Sequence, residues 1–362
     1  MSNVSATTRR LPPPSPDALA EWKRQEQIGD EVAERFAAFT VNGVDGATFI
    51  LDAPERVPTI WGDEENVAWA AGEPLNVVGP TGVGKTTLMQ QLALRRSGVL
   101  GGDLLGMPVE TSPGRVLYIA ADRPRQIARS FRRIVSEADR LGLEETLVVW
   151  RGPLPFDLGK AAPGQFLEFV QAFPRVTDVF VDSLKDIAVG LSDDEVGSRV
   201  NAEHQRLIAA GYEVVDSHHQ RKATGDNKKP RTLDDCYGSV WIVAGAGSVL
   251  LLWGRAGDPI IELRQLKSPA GEVGPLTLIV DHDRGEMRLH EPTDLGSLVA
   301  GALNGGLTVR DAAMQLFSSG DPDRNEIEKA RRKLEALVER GRAVRAPDCS
   351  PARYRPVERR SA

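Results

Sequence analysis

The sequence predicts an α/β fold, a mostly parallel sheet with helices on both faces, and three observations carry that prediction. From about Pro74, short apolar runs alternate with segments of helical composition, the pattern left by parallel strands and their crossover helices. One strand–helix junction carries GPTGVGKTT (79–87), a glycine-rich loop of the phosphate-binding type. After about residue 240 the pattern turns strand-rich with short turns, which predicts antiparallel strands added to one edge of the sheet.

The predicted parallel strands are LNVVG (75–79), VLYIAA (116–121), TLVVWRG (146–152), DVFVDS (178–183) and EVVDSHH (213–219). Their apolar character is nearly continuous, as burial on both faces requires. Helices are expected over 84–96, 124–140, 163–173 and 195–210. The run SVWIVAGAGSVLLLWG (239–254) is too short and too rich in Gly and Ser to span a bilayer, and reads as a buried helical turn followed by a buried strand. SVLLLWG, IIELRQLK, LTLIVD and EMRLHE are the expected antiparallel additions. Three further helices follow, in LGSLVAGALNG, TVRDAAMQLFSS and DRNEIEKARRKLEALVERG, with a hairpin in RAVRAPD…ARYRPV. Three helices and a wing are the pattern of a winged helix-turn-helix. The expected organisation is a disordered Pro/Ser-containing leader (1–16), a helical segment (17–44), an α/β domain (45–292), a winged helix (293–358) and a short tail (359–362).

Composition bounds the function. The 362 residues are 41% hydrophobic and 27% charged, ordinary for a globular chain of about two domains. The net charge of −6 means that any nucleic-acid surface must be local. Cys236 and Cys349 lie far apart without a CxxC spacing, which excludes a disulfide framework and fits a reducing, cytoplasmic setting. The leader has no apolar core of a secretory signal, and no membrane association is expected. The scattered histidines show no zinc pattern.

The loop places Gly79, Pro80, Thr81, Gly82, Val83, Gly84, Lys85, Thr86 and Thr87 around a phosphate chain. Its glycines let the backbone fold around the anion, whose charge the helix N-terminus favours. Lys85 supplies a point charge for the β and γ oxygens, and the Thr86 hydroxyl is placed to ligate Mg²⁺. The cofactors implied are ATP and Mg²⁺. DVFVDS ends in Asp182, the carboxylate that holds the magnesium shell in such sites. VLYIAA leads to Asp122, which activates water if this strand lies beside the loop strand, or caps the next helix through Pro124. His218 and His219 are adjacent on a strand, point to opposite faces and cannot easily share one metal.

Together WGDEENVAWAAGEPLNVVGPTGVGKTTL, LYIAADRP, VFVDSL, VVDSHHQRK and YGSVWIVAGAGSVLLLW…LRQLKSPAGEVG resemble the RecA-like P-loop ATPases, specifically the hexameric replicative helicases of the RepA/DnaB type found in phages and plasmids. The resemblance covers roughly residues 55–290. It implies that Asp122 stands where the family has its water-activating carboxylate, usually the longer Glu. It further implies that His219 or Gln220 senses the γ-phosphate, and that Arg264 or Lys267 reaches the neighbouring subunit's ATP. The expected partners are DNA, a homo-oligomer of hexameric form, and a replication loader or primase.

The basic segment after the histidines carries Arg221, Lys222, Lys228, Lys229 and Arg231, which in a ring would line a channel for single-stranded DNA. Residues 294–362 hold 13 Lys/Arg against 10 Asp/Glu, with Arg331 and Arg332 on the third helix as candidate DNA contacts. Interspersed glutamates leave a protein-binding role open for that unit. Two rivals to a helicase remain: a DNA-tethered ATP switch of the regulatory or partition kind, and a filament-forming recombinase.

Overall fold

The computed structural model describes residues 15–35, 43–220, 232–236, 238–290, 295–302, 306–317, 321–346 and 351–357, with side chains throughout except at 28–35, 234 and 297. Among the described residues, the first helices are α1 (Pro16–Arg35) and α2 (Gly46–Leu51), the second capped by Asp45, whose carboxylate accepts from the Ala47 and Thr48 amides. A hairpin of β1 (Thr59–Gly62) and β2 (Val67–Ala70) leads into β3 (Leu75–Gly79) and α3 (Lys85–Arg96). Next come β4 (Arg115–Ala120), α4 (Pro124–Ile134), α5 (Arg140–Thr146) and β5 (Leu147–Arg151). They are followed by α6 (Gln165–Gln171), β6 (Val176–Asp182), α7 (Asp194–Ala209) and β7 (Glu213–His219). The α/β region ends with α8 (Val240–Ala244), β8 (Ser248–Trp253), β9 (Ile260–Lys267), β10 (Leu276–Asp281) and β11 (Glu286–Leu289).

The nine described strands from β3 to β11 form one sheet in the order β11-β10-β9-β8-β3-β7-β6-β4-β5. The six from β8 to β5 are mutually parallel, and β9, β10 and β11 add on antiparallel. SVLLLWG therefore joins the parallel set, contrary to its expected antiparallel placement. Its partner is β3, with Leu75 to Val78 opposite Ser248 to Leu251.

Alternate residues of each strand feed two apolar layers, which explains the near-continuous hydrophobic runs. Val116, Tyr118, Phe180 and Val215 face a core shared with Leu88, Met89 and Leu92 of α3 and with Ile127 and Phe131 of α4. Leu117, Ile119, Val179, Val181 and Val214 face the other core, against Phe166 and Val170 of α6 and Val200 and Leu207 of α7. The β1–β2 hairpin, which the sequence pattern did not disclose, roofs the first core with two fully buried tryptophans. Trp61 Nε1 donates to the Leu104 carbonyl at 3.0 Å and Trp69 Nε1 to that of Glu73 at 2.8 Å, so both indoles bury their rings without orphaning their N–H.

The helix expected over 124–140 breaks in two. Val135 is extended, and Ser136 begins a short turn whose Asp139 carboxylate accepts from the Ser136 amide. A capping signature in the sequence Ser-Glu-Ala-Asp thus overrides helical composition.

The C-terminal residues build a smaller unit: α9 (Leu295–Gly301), β12 (Leu307–Thr308), α10 (Val309–Phe317), α11 (Arg324–Glu339), β13 (Ala343–Arg345) and β14 (Arg353–Pro356). Its strands pair antiparallel in the order β12-β14-β13 around a core that includes Val299, Leu316, Leu334 and Tyr354. The three helices and the hairpin fall where expected, and β12 is an addition.

One buried ion pair ties α3 to the sheet. Arg96 Nε donates to Asp178 Oδ1 at 2.6 Å, with the two side chains 3% and 0% exposed. Thr177 Oγ1 (2.9 Å) and Ser112 Oγ also donate to Asp178 Oδ2, and the guanidinium lies 5.6 Å from the Trp69 ring centroid. Removing one partner strands the other charge in the core. Asp178→Ala is therefore expected to lower unfolding free energy by about 3–5 kcal/mol, read from the urea midpoint; an unchanged midpoint would show that the pair is solvated.

Candidate active site

The loop between β3 and α3 sits at the carboxyl end of the parallel strands, the usual ligand position in such sheets. Two of its glycines are needed for shape. Gly82 and Gly84 have φ of 78° and 105°, and a Cβ on either would come within 2.9 Å of Ala256 Cβ or 2.8 Å of Met287 Cε. The loop is thus wedged between the β8–β9 turn and β11, and its curvature is fixed by the antiparallel edge.

Lys85 opens α3 but is only 7% exposed, and its ammonium donates to the Gly79 and Pro80 carbonyls, both at 2.8 Å. Burial pulls its pKa down to about 8; attraction to Asp182 works against that and repulsion from Lys185 adds to it. Asp182 ends β6, 6% exposed, and is held from both sides. Tyr118 Oη on β4 donates to Oδ2 at 2.9 Å, and Ser217 Oγ on β7 donates to Oδ1 at 2.8 Å. Both hydroxyls come from the strands that flank β6.

His219 pairs with Gly79 across the parallel ladder, so it stands directly beside the root of the loop. Its Nδ1 lies 3.4 Å from Thr81 Oγ1. Burial, then the charges of Lys85, Lys185 and His218, lower its pKa to about 4, so the ring is neutral at pH 7. His218 is fully buried on the opposite face, near Gly238.

Asp122 follows β4, and that strand is not beside β3: β7 and β6 lie between them. The strand expected beside β3 is therefore separated from it by two others, yet Asp122 still lines the cavity, because the twist and common carboxyl edge of the sheet gather the strand ends. Nor is Asp122 the helix cap. Arg123 holds the N-cap position in a left-handed conformation, φ 47°, and its Nε donates to Asp122 Oδ2 at 2.8 Å.

A cavity of about 400 Å³ brings these groups together. Thr81, Gly82, Gly84, Lys85, Thr86, Thr87, Asp122, Asp182 and His219 all line it. Ser217, Lys185, Asp186, Arg123, Gln126 and His282 line it too and were missed. Ser217 was within reach of sequence reasoning, since it lies two residues before His219 and so shares its face. A nucleoside triphosphate and a divalent cation fit the donor set: a glycine cradle, an ammonium resting on carbonyls, and a buried carboxylate lining the same cavity as Thr86.

Other expected residues stand elsewhere. Gln220 bridges to Cys236 and does not line the cavity. Arg264 and Lys267 also lie outside it. The β8–β9 register slips by one residue at Leu266, setting Arg264 opposite Leu251 and Lys267 opposite Val249. This bulge puts both cations on the same face although they are three residues apart. Arg264 Nη2 is 3.4 Å from Glu262 Oε1, and Lys267 Nζ donates to the Ala244 carbonyl at 2.7 Å. Arg221, Lys222, Lys228, Lys229 and Arg231 lie outside the described residues. Arg331 and Arg332 are exposed on α11, 3.7 and 3.5 Å from Glu328.

The depressed Lys85 pKa gives a pH signature. Between about pH 8 and the usual 10.5, the unfolded chain holds a proton that the folded, nucleotide-free protein has lost. Stability therefore rises with pH across that window. Denaturant titrations of the nucleotide-free protein are expected to lose this rise in Lys85→Met; an identical pH slope in the variant would mean that Lys85 titrates normally.

A family profile described as an AAA domain matches residues 45–225, half of the chain. No curated protein matches. Among solved structures, one ATPase domain is 12% identical at a TM-score of 0.48, covering 68% of this chain and 100% of that one. No helix among the described residues is long and apolar enough to cross a membrane. The chain belongs to the AAA domain family, as a P-loop ATPase with a RecA-like nucleotide-binding sheet.

Proposed function

We propose that the protein hydrolyses ATP to move along single-stranded DNA, as a hexameric helicase of the phage- or plasmid-type replication class. The observation that carries this reading is the convergence of Lys85, Thr86, Asp182, Asp122 and His219 on one cavity. Lys85 and the loop amides grip the β- and γ-phosphates. Thr86 and Asp182 hold Mg²⁺, which when bound neutralises charge on the β and γ oxygens. Asp122, freed from Arg123, accepts the proton of the attacking water. His219, neutral and beside Thr81, donates or accepts a hydrogen bond according to whether the γ-phosphate is present.

His219 is the last residue of β7 before the segment with Arg221, Lys222, Lys228, Lys229 and Arg231, so a change at the γ-phosphate is delivered two residues from a cluster of cations suited to a DNA backbone. One of Arg264 and Lys267, which lie outside their own cavity and on one face, serves a neighbouring subunit's ATP. The C-terminal unit, three helices and a hairpin among the described residues, is read as a winged helix, with Arg331 and Arg332 on α11 as its proposed DNA contacts. This assembly works in the cytoplasm, with a replication loader or primase as partner. The proposed units are a leader (1–16), a helical arm (17–44), the ATPase domain (45–292) and the winged helix (293–358).

The test is ATPase rate with and without single-stranded DNA, together with particle size in ATP and Mg²⁺. DNA-stimulated turnover and closed hexamers are expected; dimers without stimulation would favour a nucleotide switch, and open helices a recombinase. Loss of Lys85 (Lys85→Ala) is expected to reduce turnover about 10²–10³-fold. Of Arg264→Ala and Lys267→Ala, the trans residue is expected to lower turnover by about 10³-fold. His219→Ala is expected to keep ATP binding while losing stimulation by DNA, and full stimulation in that variant contradicts the sensor role.

A further inference from the structure

The first turns of α4 form the most concentrated basic surface near the cavity. The segment RPRQIARSFRRI (123–134) holds five arginines and no lysine or acid. They are not equivalent. Arg133 Nη1 donates to the His282 carbonyl at 2.7 Å, and Glu137, whose carboxyl is held below the usual range chiefly by its hydrogen bond from Arg140, also attracts Arg132. Arg125 and Arg129, exposed and one helical turn apart, have no carboxylate within 4 Å among the described residues. With Arg123 they rim a shallow concavity of about 450 Å³ completed by Pro124 and Gln126. This concavity shares Arg123 and Gln126 with the nucleotide cavity.

Three guanidinium groups around one hollow make a site for phosphate. Arginine offers planar, paired donors that match phosphate oxygens, and exposed guanidinium groups lacking an acid nearby gain most from such a partner. In a chain of net charge −6, a local surface of this kind is specific rather than a general basicity. The third member has a second engagement. Arg123 is held at φ 47° with its side chain turned back onto Asp122, an ion pair only partly exposed on the carboxylate side (66% and 38%). A non-glycine residue in this region is strained and is found where the surroundings require it.

We propose that Arg123, Arg125 and Arg129 seat the phosphate backbone of a single nucleic-acid strand, and that a phosphate bound there draws Arg123 away from Asp122. The first half depends only on the arginine surface; the second rests on the reading of Asp122 as the base that activates water. While Arg123 is paired with it, Asp122 is engaged as an acceptor and poorly placed to take a proton. A phosphate competes for the same guanidinium and releases the carboxylate toward the cavity. Nucleic acid on this surface thus switches on hydrolysis at the adjoining site without touching ATP.

The experiment compares wild type with an Arg125→Ala/Arg129→Ala variant of the full chain. Fluorescence anisotropy measures affinity for a single-stranded oligonucleotide across a salt series, and steady-state assays measure ATPase with and without that strand. The variant is expected to keep its basal rate and its KM for ATP, to bind the strand more weakly, and to lose stimulation. Removing two phosphate contacts is expected to reduce the slope of log affinity against log salt by about 1.4. Unchanged affinity and salt slope overturn the site. A raised KM for ATP with unchanged strand binding also overturns it, assigning the arginines to the nucleotide. A changed particle size does the same, assigning them to contacts between copies. If wild type binds the strand without stimulation while the variant loses affinity, the surface stands and the Asp122 release fails. Arg123→Ala separates the two further: its basal rate is expected to rise toward the stimulated rate, and a basal rate at or below wild type contradicts the release.

Discussion

A carboxylate buried at the end of the central sheet is the constraint on which the rest of the site depends. Asp182 is 6% exposed, in a position where an unpaired negative charge would be expensive. Two hydroxyl donors, from Tyr118 and Ser217, satisfy one oxygen each, and the nearby Lys85 supplies the balancing positive charge. That arrangement requires β6 to lie between β4 and β7, and it requires Lys85 to be inside rather than in water. Both requirements are met by the order of the sheet and by a loop too tightly wedged to accept a side chain at Gly82 or Gly84. Lysine bears the cost, its pKa pulled to about 8 by burial, and an anion bound beside it would favour its charged form.

The same strand order explains how a change at the phosphate can travel. β7 lies between the loop strand and the Asp182 strand, and its residues alternate between the cavity and the opposite core. Ser217 holds the carboxylate, His218 turns away, and His219 stands beside the loop. The adjacent histidines therefore divide their work by the two-residue period of a strand: one ring faces the site and the other helps fill the core. Ser217 and His219 share one face of β7, so in the proposed mechanism the residue that senses the γ-phosphate and the one that holds the cation-binding carboxylate lie on the same short strand.

What was legible in the sequence was local. The glycine-rich loop, the strand ending in Asp182 and the opposed histidines depend on spacing over a few residues, and all appear where the spacing puts them. Features that depend on which strands become neighbours were not legible. Asp122 reaches the cavity although its strand lies two places removed from the position assumed for it, and the hold of Tyr118 on Asp182 follows from the same order. The β1–β2 hairpin was invisible because its strands are buried almost throughout and lack polar alternation. The slip at Leu266 was equally hidden, and counting residues would have set Arg264 and Lys267 on opposite faces where the bulge joins them on one. The break after Ile134 was readable in principle, since Ser136 and Asp139 form a capping box that composition alone obscured.

Asp182 is proposed as the cation-holding carboxylate of an otherwise preformed nucleotide cradle. Calorimetric titration of a non-hydrolysable ATP analogue, with and without Mg²⁺, tests that role most directly when wild type is set against Asp182→Asn. Mg²⁺ is expected to tighten analogue binding in wild type and not in the variant, while binding without Mg²⁺ is retained by both. Tightening by Mg²⁺ that persists undiminished in Asp182→Asn would contradict the role.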